Sequence, residues 1–146
     1  MAITVATMSA ALADICGGTL IVAGLDGSAA STAWLGPIAA GLRSLGLTTA
    51  TPLTTVDADL APVADEDIDQ LLSVAELRSL ENALNHYTKV DQTISMGSKR
   101  FGQFRSDLEA TIARRRAEIK ELYGFGVATI TAGVIDLSFD SIEPTT

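Results

Sequence analysis

Apolar residues in the second half of the chain recur at spacings of three and four, which is the repeat of an amphipathic helix. One series follows the acidic run at 65–69, where negative side chains suit the positive end of a helix dipole. The next begins at Phe101 or Gln103 and ends at Tyr123, before Gly124, a residue suited to a helix C-terminus. The sequence therefore predicts two long helices, joined through 90–100 by a small hairpin or an irregular connector. Their apolar positions are Leu77, Leu80, Leu84 and Tyr87, then Phe101, Phe104, Leu108, Ile112, Ile119 and Leu122.

The first half predicts shorter elements. A helix is expected over residues 4–15, with Gly17 and Gly18 as its stop, and another over residues 37–45, ending before Gly46. Residues 19–23 fit either a short strand or a buried linker, and the Thr/Pro-rich stretch 48–62 fits a loop.

Charge is distributed unevenly along the chain. Of its 28 charged side chains, 10 basic and 18 acidic, only five precede residue 65. We divide the chain into an Ala/Gly-rich, low-charge segment (1–64), a two-helix core region (65–126) and an extended arm (127–146). Residues 127–139 are rich in β-branched side chains and partly alternate. The predicted fold is mainly α, a small helical domain with a short C-terminal β strand or hairpin arm.

The overall charge restricts the classes of function that this chain can have. A net charge of -8 argues against DNA binding through phosphate neutralisation, which requires a concentrated basic surface. The longest uncharged stretch of the first 64 residues, 27–42, is shorter than a membrane span and contains Gly and Pro, and no basic residue precedes Arg43. We expect a soluble protein made in the cytoplasm, with no membrane partner.

One pattern resembles a metal site. Asp65, Asp67, Asp69 and Glu76 have the spacing of the ligands in an EF-hand calcium loop. However, Gln70 stands where that loop requires glycine, and no helix is predicted to enter it. An acidic helix N-terminus is the favoured interpretation, and a small calcium-responsive regulatory module is the alternative.

Catalytic signals are weak. His86, the single histidine, has no partner that the sequence identifies, and Cys16, the single cysteine, has no basic neighbour that would lower the pKa of its thiol. The Gly-rich stretches match no phosphate-binding motif. We predict a protein without enzymatic activity and without a cofactor.

Arginine interrupts the apolar series of the last helix. Between Ile112 and Ile119 the apolar stripe passes through Arg115 or Arg116. Such an arginine either extends along the edge of the stripe or forms an ion pair with an acidic residue of a neighbouring helix or subunit.

Residues 75–84 (AELRSLENAL) and 104–114 (FRSDLEATIAR), with YGFG at 123–126 and AGVI at 132–135, resemble head-to-tail connector proteins of tailed bacteriophages. The resemblance covers about residues 65–135. It implies a virion protein, assembled in the host cytoplasm as a homo-oligomeric ring between the portal and the tail. DNA would pass through the ring without specific binding, and terminal arms would dock onto portal or tail-side proteins. The interface residues we predict are Trp34, Leu35, Arg115, Arg116, Val134, Ile135, Leu137 and Phe139.

Overall fold

The computed structural model describes residues 3–49, 55–93 and 99–124, and these residues are mainly helical, as predicted. Within these ranges no strand is present. The β-like arm predicted from residue 127 lies outside the described residues. The α-helices are α1 (Val5–Val22), α2 (Leu35–Ser44), α3 (Asp57–Leu60), α4 (Ile68–Thr93) and α5 (Lys99–Tyr123).

Helix α1 begins with a reciprocal cap. The Thr4 hydroxyl accepts a hydrogen bond from the Thr7 amide at 3.1 Å, and the Thr7 hydroxyl accepts one from the Thr4 amide at 3.0 Å. The Asp57 carboxylate, at the start of α3, accepts a third from the Val5 amide at 2.7 Å. A carboxylate at this end of the helix also opposes the positive end of its dipole.

The prediction that α1 stops at Gly17 is wrong, because the helix continues to Val22. Gly17 instead allows a close approach: a Cβ at this position would lie 2.5 Å from the carbonyl oxygen of Gly27. The helix ends at Val22 with Ala23 as its C-cap, Gly24 follows with a φ of 89° that favours glycine, and the Leu25 amide donates back to the Leu20 carbonyl oxygen at 2.8 Å. The short strand or linker considered for 19–23 is therefore the last turn of α1 and its C-cap.

Helices α2 and α5 agree well with the sequence. Helix α2 covers Leu35–Ser44, and α5 ends at Tyr123, followed by Gly124 with a φ of 72°. The stretch predicted as a loop contains α3. Helix α4 follows a 3₁₀ turn at Asp65–Asp67 and runs without a break to Thr93. Of the connector predicted at 90–100, residues up to Thr93 belong to α4, residues from Lys99 belong to α5, and 94–98 lie outside the described residues.

Helix α4 is central, and α1, α2 and α5 all pack against it. Helix α1 runs parallel to α4, because Cys16 lies by Ser79 and Gly24 lies by His86. Helix α5 runs antiparallel to α4: Arg115 meets Glu76 near the start of α4, and the rings of Phe104 and Tyr87 pack edge to face near its end, 4.8 Å apart.

Residues on both sides of the predicted boundary at 64 contribute to one hydrophobic core. Side chains from α1, α2 and α3 join those of α4 and α5 in it. Its largest fully buried members include Trp34, Leu12, Leu20, Ile38, Leu42, Leu60, Leu71, Leu77 and Ile119. Among the described helices, α1 alone has the length and apolar composition of a membrane span, and 33% of it is buried inside this domain.

Candidate functional site

The contact between α4 and α5 contains a cluster of partly buried ion pairs. Arg115 donates hydrogen bonds to the carboxylates of Glu76 on α4 and, at 2.6 Å, Glu118 on α5. The side chains of Arg115 and Glu76 are 27% and 12% exposed. Burial alone lowers the pKa of Arg115, but the hydrogen bonds and negative charges of the two glutamates outweigh it and raise that pKa. Arg115 therefore stays charged.

Arg116 forms a second pair beside the first. It donates to Glu81 of α4 at 2.8 Å, and Glu81 also accepts from Arg78 at 3.1 Å. The sequence left open whether these arginines pair with a neighbouring helix or subunit. Within the described residues both pair with α4 of the same chain, which fixes the register of the antiparallel helices.

The sequence analysis did not identify Glu76 or Glu81 as partners of the arginines. The signal was present: each acid lies next to a leucine of the α4 stripe, and the arginines interrupt the stripe of α5. Which acid meets which arginine depends on the relative offset of the two helices. Nothing in a single sequence specifies that offset.

The thiol of Cys16 lies close to this cluster, on the α1 side of α4. Burial raises its pKa to about 12, and the negative charge of Glu76 adds to the shift, while a hydrogen bond with Ser79 opposes it. The thiol donates to the Leu12 carbonyl oxygen at 3.3 Å. A thiol held neutral in this way is a poor nucleophile.

An open cavity of about 380 Å³ lies between the end of α1 and the middle of α4. Leu20 and Leu25 give it an apolar wall, and Asn82, Asn85 and His86 give it polar groups. The hydroxyl of Ser79, which also lines it, donates to the Ala75 carbonyl oxygen at 2.8 Å. The cavity therefore offers hydrogen-bonding groups, while the proton of the Ser79 hydroxyl is already engaged.

The predicted interface residues have different surroundings. Trp34 is fully buried, and its indole nitrogen donates to the Ser28 carbonyl oxygen at 2.7 Å, so it contacts the core of its own domain. Leu35 is half-buried at the start of α2. Val134, Ile135, Leu137 and Phe139 lie outside the described residues.

The four acids of the calcium-like pattern are not brought together. Asp65 and Asp67 lie in the 3₁₀ turn, Asp69 is exposed in the first turn of α4, and Glu76 pairs with Arg115. In the part of the chain that the structure describes, no three His, Cys, Asp or Glu side chains are grouped as metal ligands.

Exposed apolar side chains are the feature that the sequence analysis did not locate. Ile15, Ile21 and Val22 of α1 are 52%, 64% and 61% exposed, and Leu122 of α5 is 69% exposed. The signal was the near absence of charge from α1, whose single charged residue is Asp14. Apolar groups concentrated on one element are typical of contact surfaces.

Comparison with known proteins gives no match: no family model, no curated protein and no solved structure resembles this chain significantly.

Proposed function

We propose that this protein is a non-enzymatic structural subunit of a phage head-to-tail connector. It would assemble into a homo-oligomeric ring that joins the portal to tail-side proteins around the DNA channel. The observation that carries the proposal is the exposed apolar surface of α1 and of the end of α5, on a domain of modest size. A ring subunit needs two different contact patches, one for each neighbour.

The α4–α5 pair supports this proposal. The segments that resemble connector proteins, 75–84 and 104–114, lie on these two helices. Their ion pairs hold the helices in one register, so that the pair would behave as a rigid unit when neighbouring subunits contact it.

The charge of the chain also suits a DNA channel. A net charge of -8 per subunit gives a ring that repels phosphate, and DNA would slide through it without being held. DNA would therefore be a passing occupant of the channel rather than a ligand.

The test is negative-stain microscopy of the purified protein, alone and mixed with the portal protein of the same phage. Rings in either sample support the proposal. Particles that stay monomeric in both samples, at the concentrations used for assembly, contradict it.

A variant of the predicted arm tests the docking step. Leu137→Asp combined with Phe139→Asp should leave the helical domain folded and abolish binding to the portal or to tail-side proteins. Ser138→Asp, between the two positions, is the matched control, because it adds a negative charge without removing an apolar side chain. Normal particle assembly by the double variant would contradict the assignment.

A further inference from the structure

Helices α1 and α5 both pack against α4 but leave a cleft between them. A cavity of about 140 Å³ marks it, with Leu80 of α4 at its base, Thr19 of α1 on one side, and Phe104, Leu108 and Thr111 of α5 on the other. The two helices run antiparallel here, because Thr19, near the end of α1, faces the first half of α5.

Exposed apolar side chains border both walls of this cleft. At ~100° per residue, Ile15 and Val22 lie within ~60° of Thr19 around α1, and Leu122 lies within ~20° of Thr111 around α5. All three are more than half exposed. Ile21 lies ~160° from Thr19, on the far side of α1. The cleft therefore continues as a groove whose α1 wall is apolar, while its α5 wall carries the Arg115–Glu118 ion pair between Thr111 and Leu122.

The chain itself supplies a segment that could fill the groove. Helix α5 ends at Tyr123, and its antiparallel course brings this end towards the beginning of α1, at one end of the groove. Residues 127–139 follow, and 127–135 carry no charged side chain. When extended, these thirteen residues span ~43 Å. The 18-residue α1 is ~27 Å long. The segment is long enough to line the whole groove.

Charge and proximity favour this occupant over a second copy. Asp107 lines the cleft, and residues 127–139 carry only one charged side chain, Asp136, so this segment meets little repulsion there, whereas a second chain brings a net charge of -8. A tethered segment also binds at an effective concentration of ~1 mM, far above that of a separate molecule in dilute solution.

We propose that, in the isolated subunit, residues 127–139 pack into the groove between α1 and α5 of their own chain. Their apolar side chains would cover Ile15, Val22 and Leu122. The proposal concerns a contact within one chain and does not depend on ring formation: a protein that never forms rings would show it equally.

Photo-crosslinking of the full chain tests the contact directly. A benzophenone amino acid replaces Ile15, which borders the groove, or Ile21, the control of the same residue type on the far side of α1. Trypsin releases both positions within residues 1–43 and releases residues 121–146 as one peptide, because no Lys or Arg occurs after Lys120. We expect the probe at position 15 to join 1–43 to 121–146 within a monomer, severalfold more often than the probe at position 21, and fragmentation of the joined peptide should place the linked residue within 127–139.

Three outcomes of the crosslinking would overturn the proposal. One is equal crosslinking from the two positions, and another is no product in which the linked residue lies within 127–139. The third is a product found mainly in dimers. In a mixture of ¹⁵N-labelled and unlabelled protein, such a product would join a labelled peptide to an unlabelled one, which would assign the groove to a second copy.

A chain truncated after Gly124 gives a second measurement. Its helical circular dichroism should be retained while its binding of a hydrophobic dye increases severalfold, and unchanged dye binding would also contradict the proposal.

Discussion

Arg115 of α5 donates a hydrogen bond to the carboxylate of Glu76 on α4, 39 residues earlier in the chain. The same carboxylate adds to the rise in the pKa of the Cys16 thiol on α1, so one acidic side chain influences groups on both helices. Glu76 is 12% exposed as a side chain. Neutralising it would leave the Arg115 charge partly buried with Glu118 as its remaining acidic partner.

Glu76→Gln should lower the free energy of unfolding by about 1–3 kcal/mol, because an ion pair with restricted solvent access loses one partner. This range is below that of a fully buried pair, since the Arg115 side chain is 27% exposed. Urea unfolding followed by circular dichroism measures the change.

The control is Glu109→Gln, which breaks the pair between Arg105 and Glu109. Those side chains are 45% and 51% exposed, so water already solvates them and the expected loss is below about 0.5 kcal/mol. If the two variants lost equal stability, the Arg115–Glu76 pair would have no special structural role.

Gly17 and Gly18 are adjacent in α1, and their replacement by alanine should have opposite effects. At Gly17 a Cβ would meet the Gly27 carbonyl oxygen at 2.5 Å, and the backbone of the α1–α2 loop would have to move. Gly17→Ala should therefore cost about 1–3 kcal/mol of stability. Gly18 has nothing within 4 Å of its Cβ position, so Gly18→Ala should stabilise the helix by about 0.5–1 kcal/mol.

Thermal unfolding of the two variants checks this pair of expectations. Both substitutions add the same methyl group to the same helix, and only the neighbours of the added atom differ. Equal changes in the unfolding temperature would mean that the approach of the loop to α1 is not as close as described.

The glycines also show what could be predicted from the sequence. The stops at Gly46 and Gly124 were predicted correctly because a local apolar repeat ends directly before each. Gly17 was mistaken for a stop because the contact that requires glycine there is with the backbone of Gly27, ten residues further along the chain. Local patterns specify helices, whereas the reason for a close approach exists only after the chain has folded.

The same distinction explains the interface predictions. Trp34 is a large apolar residue in a segment of low charge, a pattern that fits a contact surface as well as a core. Only the packing of α2 and its preceding turn against α4 decides that it is buried. Arg115 and Arg116 were recognisable in the sequence because they interrupt the apolar repeat of α5, although their acidic partners on α4 were not.

Trp34, the single tryptophan, should report on unfolding and not on assembly. It is fully buried, so its fluorescence should have the blue-shifted maximum of a buried indole at every protein concentration, and shift to the red on unfolding. Trp34→Phe removes the donor to the Ser28 carbonyl oxygen and should cost about 1–3 kcal/mol. A red shift on dilution, with circular dichroism unchanged, would place Trp34 at an interface between subunits instead.

Calcium should not bind at the acidic start of α4. Glu76, the residue at the position of the bidentate ligand, is paired with Arg115, and a cation would have to displace that arginine. Calorimetric titration with micromolar calcium should give no stoichiometric heat. Stoichiometric heat that disappears in an Asp67→Asn variant would show that the acidic run is a calcium site.

The buried thiol of Cys16 should make stability depend on alkaline pH. Its pKa is about 12 in the folded chain and close to its ordinary value of 9.0 when unfolded. Between these values the folded state retains a proton that the unfolded state has lost, so the contribution is fully present below the unfolded pKa and is lost as pH rises towards about 12. The loss approaches ~1.4 kcal/mol per pH unit.

Other groups also titrate at alkaline pH, so the quantity to measure is a difference. The free energy of unfolding of the wild-type protein, minus that of Cys16→Ala, should stay constant below about pH 8 and decrease above it. The alanine variant carries the same lysines and tyrosines, whose contributions therefore cancel. A constant difference up to about pH 10 would mean that the folded thiol ionises as readily as the unfolded one, and that burial beside Glu76 does not hold it neutral.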